Sequence, residues 1–269
     1  LANRGGALFN TGDSTIEESY FHHNAITDEN TPVNLSPEGD AIMNLNQMDI
    51  IKSTISNNGQ LLSNPNNTSL QSAEYALHVN PNGGISPFPV TSITNSTIAN
   101  NAFAGVRSDR GRTRISQSTI ANHPNFGLRF SRNLDHQGEI QLSISNSIIV
   151  NSETQNCNAL ENIPADETDI TSHSNASTDD SCDFHIENIT DPLIGGLHYW
   201  GGSTPTLMIS HDGDVSEEGL ACSDEDQRGG SRPLDADNDG ISFCDLGAVE
   251  VNRTIDPLSD LIFKDEFEL

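Results

Sequence analysis

Isolated apolar residues recur along the chain inside an otherwise polar background, and they recur in one short pattern. It reads Ile-x-x-Ser-(Thr/Tyr/Ile)-(Ile/Phe)-x-(Asn/His). The copies are Ile16 to His23, Ile50 to Asn57, Ile93 to Asn100, Ile115 to Asn122 and Ile144 to Asn151. Within each copy the first and sixth positions are apolar and the places between are polar. This is the alternation of a strand with one buried face. The five serines, Ser19, Ser53, Ser96, Ser118 and Ser147, stand 34, 43, 22 and 29 residues apart. The shortest interval matches one turn of a three-strand solenoid, and the longer ones require loops inserted at a corner.

A second short strand precedes each motif, at Ala7–Phe9, Ala41–Met43, Ala76–His78, Gly105–Arg107 and Gly127–Arg129. The variable length therefore falls in Asn-, Pro-, Ser- and Gly-rich stretches such as Thr27–Gly39 and Gly59–Ser72. Stacked about 4.8 Å apart, equivalent residues form columns. One is His23, Asn57, Asn100, Asn122 and Asn151, whose amides are expected to hydrogen-bond along the axis. The threonine column is also read as structural, because an ice-binding face needs unbroken threonine ranks and Tyr20 and Ile148 interrupt them. The predicted fold is all-β: a right-handed single-stranded parallel β-helix with a loop-rich C-terminal cap. Its coils occupy 1–191, a capping region 192–250 and a tail 251–269. The tail ending Ile262 to Leu269 reads as a terminal strand or sorting remnant.

Composition supports a thin core. Only 33% of residues are hydrophobic and 5% aromatic, too few for a thick globular interior but enough for stacked coils one side chain deep. A net charge of −27 repels nucleic acid and anionic membranes, so neither is an expected partner. No run of eighteen apolar residues predicts a membrane span. The first residues read as the middle of a repeat, as expected of a processed form or fragment. Four cysteines, Cys157, Cys182, Cys222 and Cys244, allow three pairings, of which the two local ones best staple polar loops. Zinc is the rival use, but no Cys-x-x-Cys supports it. An exported, disulfide-permissive setting fits these cysteines.

Two places carry candidate chemistry. Asp235-Ala-Asp-Asn-Asp-Gly-Ile241 has alternate carboxylates and a glycine at the turn, the pattern of a calcium loop. Asp235, Asp237, Asp239 and the Ile241 carbonyl are the candidate ligands. Asp245 stands in for the missing acidic residue one place later, and Cys244 would anchor the loop. The bland alternative is a solvated acidic turn. The second candidate is the outward column after the pre-motif strands: Phe9, Met43, His78, Arg107 and Arg129. Arg110, Arg112, Arg114 and Arg132 lie nearby. Guanidinium groups bind carboxylate or sulfate in bidentate fashion, so His78, Arg107, Arg129, Arg110 and Arg112 are candidate ligands for an acidic glycan. Neutralisation by Asp109, Asp135 and Glu139 is the structural alternative.

Several runs resemble known sequences. Gly5-Gly-Ala-Leu-Phe-Asn10 followed by Ser19-Tyr-Phe-His-His-Asn24 looks like a repeat of the polymorphic outer-membrane type. Asp191-Pro-Leu-Ile-Gly195, Gly201-Gly-Ser-Thr-Pro-Thr206, Asp226-Gln-Arg-Gly229 and Cys244-Asp-Leu-Gly-Ala-Val-Glu250 resemble the bacterial β-helix proteins of the choice-of-anchor Q or CSLREA type. Ile209-Ser-His-Asp-Gly213 departs from the stretch usual there. The resemblance implies a secreted right-handed β-helix with a C-terminal cap. A rigid rod with variable corner loops is expected to serve as a non-catalytic secreted or cell-surface module for adhesion, matrix or filament assembly, or glycan binding. Open ends make end-to-end homo-oligomers an expectation. The rival expectation is a polysaccharide lyase or glycoside hydrolase on acidic polysaccharide, with His78 or an arginine as base and Asp109 or Asp135 holding a cation. Fold analogy alone carries that alternative.

Overall fold

The computed structural model describes residues 6–24, 41–59, 75–80, 89–109, 111–130, 140–159, 168–182, 184, 186–210, 213–235 and 239–251. Among these residues there is no helix. Eighteen strands build three six-stranded sheets. Each of six coils gives one strand to each sheet, and every pairing between coils is parallel. The first coil runs through Leu8–Asn10, Ser14–Glu17 and Tyr20–His22. The last runs through Gln155–Ala159, Thr168–His173 and Ala176–Ser177.

The five motif copies are in register. Ile16, Ile50, Ile93, Ile115 and Ile144 form one column in the second sheet. Phe21, Ile55, Ile98, Ile120 and Ile149 form another in the third. Both columns belong to one continuous core, so the interior is a stack of aliphatic side chains, as the alternation predicts. The sixth coil escaped the sequence pattern, because Ser172 and Asn175 stand where the motif has Ile and Ser.

The motif serine has a specific task at the corner between the second and third sheets. The residue before it takes positive φ, between 44° and 49°, at Glu18, Lys52, Asn95, Gln117 and Asn146. That turn breaks the regular ladder and leaves the next amide to a side chain. The N–H groups of Ser19, Ser53, Ser96 and Ser118 donate to the Oγ of the serine one coil on, at 3.1–3.2 Å. Each serine hydroxyl donates in turn to the carbonyl two residues back.

A second left-handed corner follows the third sheet, at His23, Asn57, Asn100, Asn122 and Asn151, with φ between 53° and 59°. This corrects the expected amide ladder. Asparagine suits the corner because its short side chain tolerates this conformation; Asn57 Nδ2 donates to Ser56 Oγ. The amide column lies one residue later, where the chain turns inward. Asn24 Nδ2 donates to Asn58 Oδ1 at 3.0 Å, and Asn58 Nδ2 to Asn101 Oδ1 at 2.9 Å. A shorter column pairs Asn10 with Asn44.

The region expected to cap the solenoid lies along its flank. An antiparallel pair, Leu193–His198 with Thr206–Ile209, and the segments after it cover the outer face of the third sheet. That face carries small and aliphatic groups, and Ala99, Ala121, Ile148 and Val150 pack against Leu207, Met208, Ile209, Leu246 and Val249. The threonines are buried beneath the cover. Thr54 Oγ1 donates to the Pro205 carbonyl, Thr97 Oγ1 donates to Gln227 Oε1, and Thr119 Oγ1 accepts from Ala248 N–H.

A buried charge network stiffens this cover. Asp226 accepts from Arg228 and from three backbone amides, and Arg232 pairs with Glu250. Burial, together with the nearby Asp245 charge, pushes the Glu250 carboxyl up to about 7. Both expected disulfides form: Cys157 with Cys182, and Cys222 with Cys244. No helix among the described residues is long and apolar enough to cross a membrane.

Candidate functional site

The first sheet brings the predicted outward column together. Phe9, Met43, His78, Arg107, Arg129 and Asn158 are paired in unbroken register across all six coils. Burial divides them. Met43 is 0% exposed and His78 2%, whereas the Arg107 and Arg129 side chains are half-buried.

Asp109 organises the centre of the column. Its carboxylate accepts from His78 Nε2 at 2.8 Å and from Arg107 Nε at 2.7 Å. Burial alone would raise the carboxyl; the His78 hydrogen bond and charge and the Arg107 guanidinium outweigh it and hold Asp109 at about 2. An ionised Asp109 is therefore held between the His78 ring and the Arg107 guanidinium.

Tyr75 completes the site and had no signal in the sequence pattern. It enters three residues ahead of His78 and is 1% exposed. Arg107 Cζ lies 5.3 Å from its ring centroid, and Arg129 Nη1 donates to its hydroxyl at 2.7 Å. Arg129 also stacks 5.9 Å over Phe126. Two arginines in register on adjacent coils repel. Here a cation–π contact, a hydroxyl and a carboxylate separate their charges. The aromatic is 54 residues from Arg129 in sequence, so only the coil register could reveal it.

The other predicted site residues are scattered. Arg112 sits on the second sheet, beside Val90 and Gln141, with its Nε buried and unpartnered. Arg110, Asp135, Glu139 and the long corner loops lie outside the described residues.

In the acidic loop, Asp237 also lies outside them. Asp235 accepts from the amides of Asp239 and Gly240, both at 3.1 Å, and Asp239 Oδ1 accepts from Ile241 N–H at 2.7 Å. These two carboxylates are closed onto their own turn. Asp245 faces elsewhere: its oxygens accept from Ser216 Oγ, Glu217 N–H and Val251 N–H, and it is 1% exposed. It is a strut of the lateral cover.

Chemically, the column is a polar seam whose histidine and carboxylate are consumed by internal pairing. Its partly exposed cationic side chains are those of Arg107 and Arg129. No known protein family, curated protein or solved structure matches the chain.

Proposed function

We propose that this protein is a secreted or cell-surface bacterial module that works by display and contact, in adhesion, matrix or filament assembly, or glycan binding. The choice-of-anchor Q or CSLREA resemblance and the two disulfides support that setting. We take the solenoid to be right-handed, the hand general to parallel crossover connections. The observation that carries the non-catalytic reading is the burial of His78 against Asp109. A base that a substrate cannot reach, tied to a carboxylate already shared with Arg107, is arranged for stability. Arg107 and Arg129 supply the contact surface, and acidic glycans are the partner class whose carboxylates or sulfates match them.

Among the described residues the strands of the first coil pair on one side only, and end-to-end association with a second copy belongs to the same reading. Calcium at Asp235, Asp237 and Asp239 is likewise part of it, as a structural ion and not a reactant.

A glycan array at two salt concentrations, with calcium and with chelator, tests the reading alongside incubation with uronate polymers. The expected result is salt-sensitive retention of acidic glycans, weakened roughly tenfold or more by Arg107→Ala or Arg129→Ala, without turnover. Unsaturated sugar products lost on either substitution would replace this reading with a polysaccharide lyase. A melting midpoint indifferent to calcium would remove the ion.

A further inference from the structure

We propose that His22 and His23 form a transition-metal site, a chelating imidazole pair selective for Cu(II) over hard divalent cations. Neighbouring residues of a strand point to opposite faces. These two converge, with Nδ1 atoms 2.8 Å apart. The cause is the corner: His22 ends the strand Tyr20–His22, and His23 has φ 53°. The left-handed turn swings the second ring back beside the first.

The pair is peculiar to the first coil. Ser56, Ala99, Ala121 and Val150 occupy the column of His22, and Asn57, Asn100, Asn122 and Asn151 occupy the corner position of His23. None of those pairs can chelate. The solenoid needs an asparagine-like corner and a small neighbour there, so two imidazoles exceed what the fold requires.

The first ring is also held in place. Tyr20 stacks on His22 with centroids 4.2 Å apart and planes 26° from parallel. Ser56 Oγ donates to the Tyr20 hydroxyl at 3.1 Å, which fixes the stack to the coil below. Both histidines are exposed, so a hydrated ion reaches them directly.

The donors select the metal. Imidazole nitrogen is a ligand of Cu(II), Ni(II) and zinc, whereas hard cations such as Mg²⁺ take oxygen ligands. Of these, Cu(II) binds nitrogen donors most tightly. On binding, the ring that donates its Nδ1 proton to the other moves that proton to its Nε2, and both Nδ1 lone pairs turn to the ion. Water fills the remaining positions. The charge of −27 concentrates cations around the molecule.

The test is a Cu(II) titration of the full chain in a large excess of Mg²⁺, which occupies the carboxylates. Calorimetry gives the stoichiometry and electron paramagnetic resonance the nitrogen ligands. His22→Ser and His23→Asn install the residues of the next coil, so both variants keep the corner. One tight site per chain with two equatorial nitrogens is expected, weakened roughly 100-fold in either variant with the melting midpoint unchanged. A wild type without nitrogen-ligated copper, or variants that bind as the wild type does, would overturn the site.

Discussion

His123 sits where earlier coils carry Asn24, Asn58 and Asn101, fully buried, with Nε2 3.2 Å from the Ile98 carbonyl. Burial holds its ring down to about 4. In the unfolded chain the ring takes a proton as pH falls through about 6.5, while the native ring refuses it until about 4. Its contribution is therefore complete above pH 6.5 and is lost as pH falls from there toward 4, about 3 kcal/mol in all. Glu250 slopes the other way: its raised carboxyl favours the native state at low pH, an advantage lost as pH rises from 4.5 through about 7. His123→Asn restores the amide of the neighbouring coils. The difference between its urea-unfolding curve and the wild-type curve should widen in the variant's favour from pH 7 to pH 5. A constant difference would remove His123 as the acid-sensitive group. At this scale the arginine column could be read from strand spacing, whereas the pairing of Asp109 with His78 could not. His78 and Asp109 come from different coils, 31 residues apart, and only the stacked register sets them side by side.

The repeating element is a strand, a left-handed corner and a strand, and its energetics centre on the serine. Ser96 Oγ accepts from Ser53 N–H at 3.2 Å and donates to the Thr94 carbonyl at 2.8 Å, with no exposure. Ser96→Ala leaves the buried Ser53 amide without an acceptor and should cost about 1–3 kcal/mol. Ser19→Ala removes a hydroxyl that takes no amide from an earlier coil among the described residues, and should cost well under that. Urea midpoints measure both, and equal losses would mean that the serine column is not what closes the corner. Five of the six coils were legible because each repeats the same local demands: Ile or Phe inside, Ser at the broken amide, and Asn, or His23 in the first coil, at positive φ. The sixth keeps the geometry with different residues. Asn175 Oδ1 accepts from Ser147 N–H in place of a hydroxyl, a substitution that hydrogen-bonding chemistry allows and pattern matching overlooks.

Across the whole molecule, the lateral cover ties distant coils together. Gln227 reaches the Ser53 carbonyl, Thr54, Thr97 and Thr204, so one side chain bridges two coils and the cover. Gly247 marks the closest approach: its φ is 90°, and a Cβ there would stand 2.7 Å from Thr119 Oγ1 and 2.8 Å from Ile148 Cδ1. Gly247→Ala should therefore cost at least about 2 kcal/mol through strain and overpacking. It should also expose the Arg228-Gly229 bond to trypsin while the coils survive. Unchanged cleavage after Arg228 would mean that the cover is not seated through Gly247. By itself the sequence determined the period, the inward aliphatic columns and the corner residues, because each answers a demand met within a few neighbouring positions. Which sheet is covered, which threonines are hidden and where Tyr75 separates two arginines were decided by tertiary structure. Those contacts join residues such as Thr97 and Gln227, 130 positions apart, and no local pattern encodes how a flat face chooses the segment that buries it.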